Sequence, residues 1–141
     1  MLLRLTLFLL LPWMAFAQSG AADEYPWTRI PAPELDKFEA RLGDVRVNNF
    51  VLEQASRASP TSAATLYELS AAVANRSKVD RHVVVQVIGL KADATPSLLS
   101  DANLDIENRH SETLRSTLMV PEHAVSDTVA YYIRVLSMPQ D

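Results

Sequence analysis

Three histidines, His82, His110 and His123, are the side chains best suited to binding a metal. Zinc and copper sites combine imidazoles with other nitrogen, sulfur or oxygen ligands at defined spacing. No two of these histidines share a helix-type or strand-type spacing, and the chain has no cysteine to add a thiolate. Asp105 and Glu107 stand at i and i+2, a spacing that puts two carboxylates on one side of a strand. Paired carboxylates can do acid–base work, but a solvated strand face explains this pair better. Serines are plentiful, yet none sits in a Gly-x-Ser-x-Gly elbow. Three glycines in the whole chain argue against a glycine-rich phosphate cradle. The expectation is a protein that is not an enzyme, with no catalytic residue, no metal ligand and no cofactor.

The elements that carry these residues begin with an export signal. Arg4 supplies a positive start, Leu5 to Leu11 an apolar run, and Ala15-Phe16-Ala17 small residues where a signal peptidase reads. The apolar stretch from Leu5 to Ala17 is 13 residues long and interrupted by Pro12. A spanning helix needs roughly 20. Residues 1–17 therefore read as a cleaved signal peptide, with Gln18 starting an exported, periplasmic or secreted chain that has no membrane span. Losing Arg4 leaves 12 basic against 17 acidic residues, scattered rather than blocked. Nucleic acid and anionic membrane surfaces are poor partners for such a chain.

Residues 18–32, with Gly20, Pro26 and Pro31, read as a flexible lead-in. Tyr25, Trp27 and Ile30 are its apolar exceptions, best read as docked on the domain. Residues 33–43 read as a short amphipathic helix: Pro33 suits its first turn, Leu35, Phe38 and Leu42 share one face, and Gly43 stops it.

From Asp44 the period becomes two. Val45 and Val47 alternate with polar residues, and Phe50 and Leu52 continue on the opposite phase, which implies a bulge at Asn48-Asn49. Residues 55–63 read as a loop. Strand patterns follow at Tyr67–Val73, Arg81–Leu90, Leu98-Leu99, Leu104–Ile106, Leu114–Val120 and Val129–Met138. About seven strands with no helical pattern among them signal an antiparallel β-sandwich over residues 44–138. A small barrel is the alternative.

The stretch from Leu66 to Met138 resembles the exported sandwich modules called FxLYD domains, and immunoglobulin- and fibronectin-like folds more broadly. A strand runs into an Asn-x-Ser turn, Val73-Ala74-Asn75-Arg76-Ser77; a valine-rich strand follows from Val83 to Ile88, then a turn at Asp93, then a closing strand pair. The turn after Leu90 lacks the usual glycine, and Pro121-Glu122 replaces a typical Pro-Gly. The resemblance implies an accessory or interaction module and names no ligand. It also implies that Arg81–Leu90 and the final strand share a sheet. Asn75-Arg76-Ser77 matches an N-glycosylation acceptor, though a turn suffices to explain it.

Those two strands carry apolar residues on both faces. Val84, Ile88 and Leu90 oppose Val83, Val85 and Val87, and Tyr132 and Leu136 oppose Tyr131, Ile133 and Val135. Their sheet would then have an apolar outer face, which soluble proteins rarely leave bare. The economical expectation is that the 33–43 helix covers it; the alternative is a docked partner. The leading functional reading is a non-catalytic module binding a protein or envelope component. The second is a carrier or sensor of a small ligand or metal, with a pocket built from Tyr131, Tyr132, Met119 and the histidines, and the third is an unrecognised enzyme.

Overall fold

The computed structural model describes residues 22–56 and 64–141; residues 1–17, read as a signal peptide, and residues 57–63 of the expected loop lie outside them, while Ala55 and Ser56 are strand rather than loop. The alternating valines do form strands, eight in all: β1 Asp23–Pro31, β2 Ala40–Leu42, β3 Val45–Ser56, β4 Ala64–Asn75, β5 Arg81–Lys91, β6 Pro96–Ile106, β7 Ser111–Pro121 and β8 Thr128–Pro139. They make two antiparallel four-stranded sheets, ordered β1-β8-β5-β6 and β2-β3-β4-β7. β-branched residues suit a pleated surface packed on one side, and Val83, Val85 and Val87 meet Val45, Val47 and Val73 in one interior cluster. Each is 0–1 % exposed. The architecture is an all-β sandwich.

Several expectations are corrected. Residues 23–31 are a paired strand rather than a flexible lead-in. Tyr25, Thr28 and Ile30 oppose Val135, Ile133 and Tyr131 of β8. Pro26 is tolerated because β1 is an edge strand and its register breaks between Tyr25 and Thr28. The sandwich accordingly starts well before residue 44. The stretch 96–106 is one strand, not two short ones, and β1 and β2 are additional, so the described residues hold eight strands where seven were expected.

The helix expected over 33–43 shrinks to a six-residue 3-10 helix, Ala32–Lys37. Phe38 is already extended, and Ala40–Leu42 pairs with Val47–Val45 as a strand. Phe38, Ala40 and Leu42 fit period two as well as Leu35, Phe38 and Leu42 fit a helix; burial of Ala40 and pairing with β3 decide for the strand. Gly43 does not stop a helix. It stands at φ 56° in the two-residue turn joining β2 to β3, where glycine reaches positive φ without steric cost.

The bulge in β3 is where the phase change places it. Pairing with β4 shifts between Asn48 and Val51, and Asn49 takes φ 54°. The extra residue returns Phe50 and Leu52 to the interior, on the same side as Val45 and Val47.

Candidate functional site

β5 is one of the two central strands of the first sheet, paired on one side with β8 and on the other with β6. The strands that the resemblance put in one sheet are therefore immediate neighbours. Because side chains alternate across a strand, Val84, Gln86, Ile88 and Leu90 point away from the core. The outer face reads as rows running across the sheet. Leu136, Val84 and Asn103 form one; Arg134, Gln86 and Asp101 the next; Arg29, Tyr132, Ile88 and Leu99 the third; Ala130 and Leu90 follow. Val84, Ile88, Leu90, Tyr132 and Leu136 thus share this face, each half-buried.

The 3-10 helix does not cover them, which overturns the expected docking. Leu35, Phe38 and Leu42 are buried in the core cluster instead. Phe38 lies 5.5 Å from Tyr25, edge-on, and 5.4 Å from Phe50, between ring centroids. The segment fills the open side of the sandwich where β1 crosses to β2. Between the two sheets these side chains are removed from water on all sides, which the outer face of one sheet would not offer.

Two further side chains join the apolar row, and periodicity did not bring them forward. Trp27 is 42 % exposed and Leu99 65 %. Together with Ile88, Gln86 and Asp101 they border a shallow depression of about 380 Å³. Trp27 reaches the face because the β1 register break re-aims it. The exposure of Leu99 follows from its place on β6, the last strand of its sheet. Its pairing with an outward Ile88 is legible only once the register is known.

Charges frame the row. Arg134 Nε donates to Glu24 Oε1 at 2.8 Å. Gln86 Nε2 donates to Asp101 Oδ2 at 3.4 Å, while Gln86 Oε1 has no hydrogen-bond partner among the described residues. Lower on the face, His82 Nδ1 meets Asp105 Oδ1.

The histidines are dispersed. His82 is on β5, His110 sits in the β6–β7 turn with Nδ1 2.8 Å from Asn108 O, and His123 lies in the β7–β8 loop at the other end. Among the described residues no group of three or more His, Asp or Glu side chains could hold a metal ion. The pocket imagined from Tyr131, Tyr132, Met119 and the histidines is not assembled. Tyr131 points inward and Tyr132 outward, as adjacent strand residues must, and Met119 is on the other sheet, 71 % exposed. Burial, then the charge of nearby Tyr67, pushes the Tyr131 hydroxyl above its ordinary pKa. Asp105 and Glu107 also part: Asp105 pairs with His82, and Glu107 lies beyond β6, with its Oε2 3.7 Å from His110 Nε2.

Asn75 is a structural keystone. It is 0 % exposed. Its Oδ1 accepts from the Ser77 N–H and hydroxyl at 3.0 and 2.7 Å, and its Nδ2 donates to the Val79, Glu107 and Ile106 carbonyls at 2.9, 3.2 and 3.4 Å. In the folded chain this amide is not available as a glycosylation acceptor. Among the described residues no helix is long and apolar enough to cross a membrane. Comparison of the chain with protein-family models gives no match, and comparison with curated proteins gives none.

Proposed function

We propose that this chain is an exported, non-catalytic binding module, and that the outer face of the β1-β8-β5-β6 sheet holds its partner, a protein or a cell-envelope component. The observation that carries the reading is the cluster of Trp27, Ile88 and Leu99, with Tyr132 beside Ile88 in register. It is apolar, lies open among the described residues, and has its most exposed member at 65 %. Monomeric proteins rarely expose contiguous apolar surface without use, and aromatic residues are enriched at the centres of interfaces. The flanking Glu24–Arg134 and Gln86–Asp101 pairs supply a polar rim. Export rests on residues 1–17, and kinship with fibronectin-like modules on the Asn75-x-Ser77 turn and the adjacency of β5 and β8.

Site-specific photocrosslinking in cells tests it. A benzophenone amino acid at Leu99 is expected to capture a discrete partner, and one at Thr117, on the outer face of the other sheet, is not. The variant Leu99→Asp is expected to keep its stability within about 0.5 kcal/mol, as exposed positions do, and to lose the adduct formed from Trp27. Equal labelling from both faces, or none from Leu99, defeats the proposal.

A further inference from the structure

The strand that opens the described fold is attached in a manner that lets it change places. Among the described residues β1 pairs with β8 and with no other strand. It sends three side chains inward, Tyr25, Thr28 and Ile30, and of these only Ile30 is buried, at 9 % exposure. The rest of its hold is the edge-on contact of Tyr25 with Phe38, backbone pairing, the Arg134–Glu24 bond and a 3.7 Å contact from Arg81 to Asp23. Beyond Ile30 the chain runs Pro31-Ala32-Pro33 before Leu35 anchors it in the core. Proline fixes φ near −65° and biases the residue before it towards extended backbone. Ala32 precedes Pro33, yet folding back recruits it into the 3-10 helix. The closed hinge therefore holds Ala32 against the bias of a residue that precedes proline.

We propose that β1 is an exchangeable strand, and that two copies of this chain pair by each laying Asp23–Pro31 on the β8 of the other. The contacts of the closed and exchanged forms are the same, so only hinge conformation and association entropy separate them; this is why swapping a terminal element is a low-cost route to a dimer. β8 cannot stay bare. Tyr131, Ile133 and Val135 are the register partners of the inward residues Ile30, Thr28 and Tyr25, and an open strand edge is a template for pairing. A second copy is the fitting occupant, because β1 already has the register break and the inward residues that this edge accepts.

Exchange would change the binding face. Trp27, Glu24 and Arg29 come from β1, whereas Ile88, Leu99 and Tyr132 come from β5, β6 and β8, so the face would be shared between two chains. That consequence rests on the proposed function; the exchange itself does not.

The chain has no cysteine, so introduced thiols are unique. Glu24 and Leu136 are register partners, as are Arg29 and Tyr132. Antiparallel partners lie roughly 4.5–5.5 Å apart between Cα atoms, within disulfide reach. Purified exported Glu24→Cys and Leu136→Cys proteins are mixed at high concentration, warmed and oxidised. A disulfide-linked heterodimer is expected, at least tenfold above that formed by Glu24→Cys mixed with Thr117→Cys. The double variant, oxidised when dilute, is expected to lock β1 at home and to be monomeric by light scattering where wild type dimerises. If the double variant closes but the mixed single variants do not cross-link, exchange is refuted. A locked variant that still dimerises refutes it too, since another surface must then join the copies. Should the first pair not close, Arg29→Cys with Tyr132→Cys replaces it. Photocrosslinking from Leu99 on the locked monomer reads the binding face separately, so either reading can fail alone.

Discussion

Ser77 gives Asn75 two hydrogen bonds at once, one from its backbone N–H and one from its hydroxyl. This leaves the Asn75 amide group free to tie the β4–β5 turn to the end of β6. Leaving buried polar groups unmatched costs about 1–3 kcal/mol. Asn75→Ala should therefore lose about 2–3 kcal/mol in urea unfolding. A loss below about 0.5 kcal/mol would show that water replaces the network at no cost.

Gly89 is required by close approach rather than by an unusual backbone angle. A Cβ there would stand 2.6 Å from Ser97 Oγ and 2.8 Å from Leu98 Cγ. Overpacking of this kind typically costs about 1–3 kcal/mol. Gly89→Ala should unfold at lower denaturant with an unchanged slope, and a variant as stable as wild type would mean that β6 shifts freely.

Phe38 bridges the rings of Tyr25 and Phe50 and is 8 % exposed. Truncating a buried phenylalanine costs about 3–5 kcal/mol. Phe38→Ala should lower Tm strongly, and hydrogen exchange in β1 should rise with it, because Tyr25 loses its support. If β1 amides stay protected in a destabilised variant, Phe38 supports β3 rather than β1.

Arg41 and Arg46 face each other across the β2–β3 turn, and Glu39 takes a hydrogen bond from each. The Arg41 bond first, then that of Arg46, holds its carboxyl down from 4.5 to about 2. Asp80 is lowered likewise, by the side chain and then the backbone N–H of Asn108. An acid with a depressed folded pKa contributes stability above its unfolded pKa and loses it as pH falls through the folded one. Tm should therefore fall between about pH 4.5 and pH 2, modestly, because partly exposed pairs are screened. Glu39→Gln should flatten part of that fall; an unchanged profile would remove Glu39 from the account.

Local pattern carried much of this fold. Alternating valines in β5, the phase change at Asn48-Asn49 and the proline that ends β7 each depend on residues next to one another, and period two is a property of the chain itself. The apolar outward residues Val84, Ile88, Leu90, Tyr132 and Leu136 were legible for the same reason. What tertiary structure alone decided is pairing across distance. Nothing in Asp23–Pro31 announces a strand, since two prolines and a register break hide its alternation, and only the waiting edge of β8 makes it one. Residues 38–42 fit a helical stripe and a strand equally well, and burial against β3 settled the choice. Whether the outer face would be covered could not be read from that face, because the answer lay in a void on the far side of the same sheet that Phe38 was the residue at hand to fill.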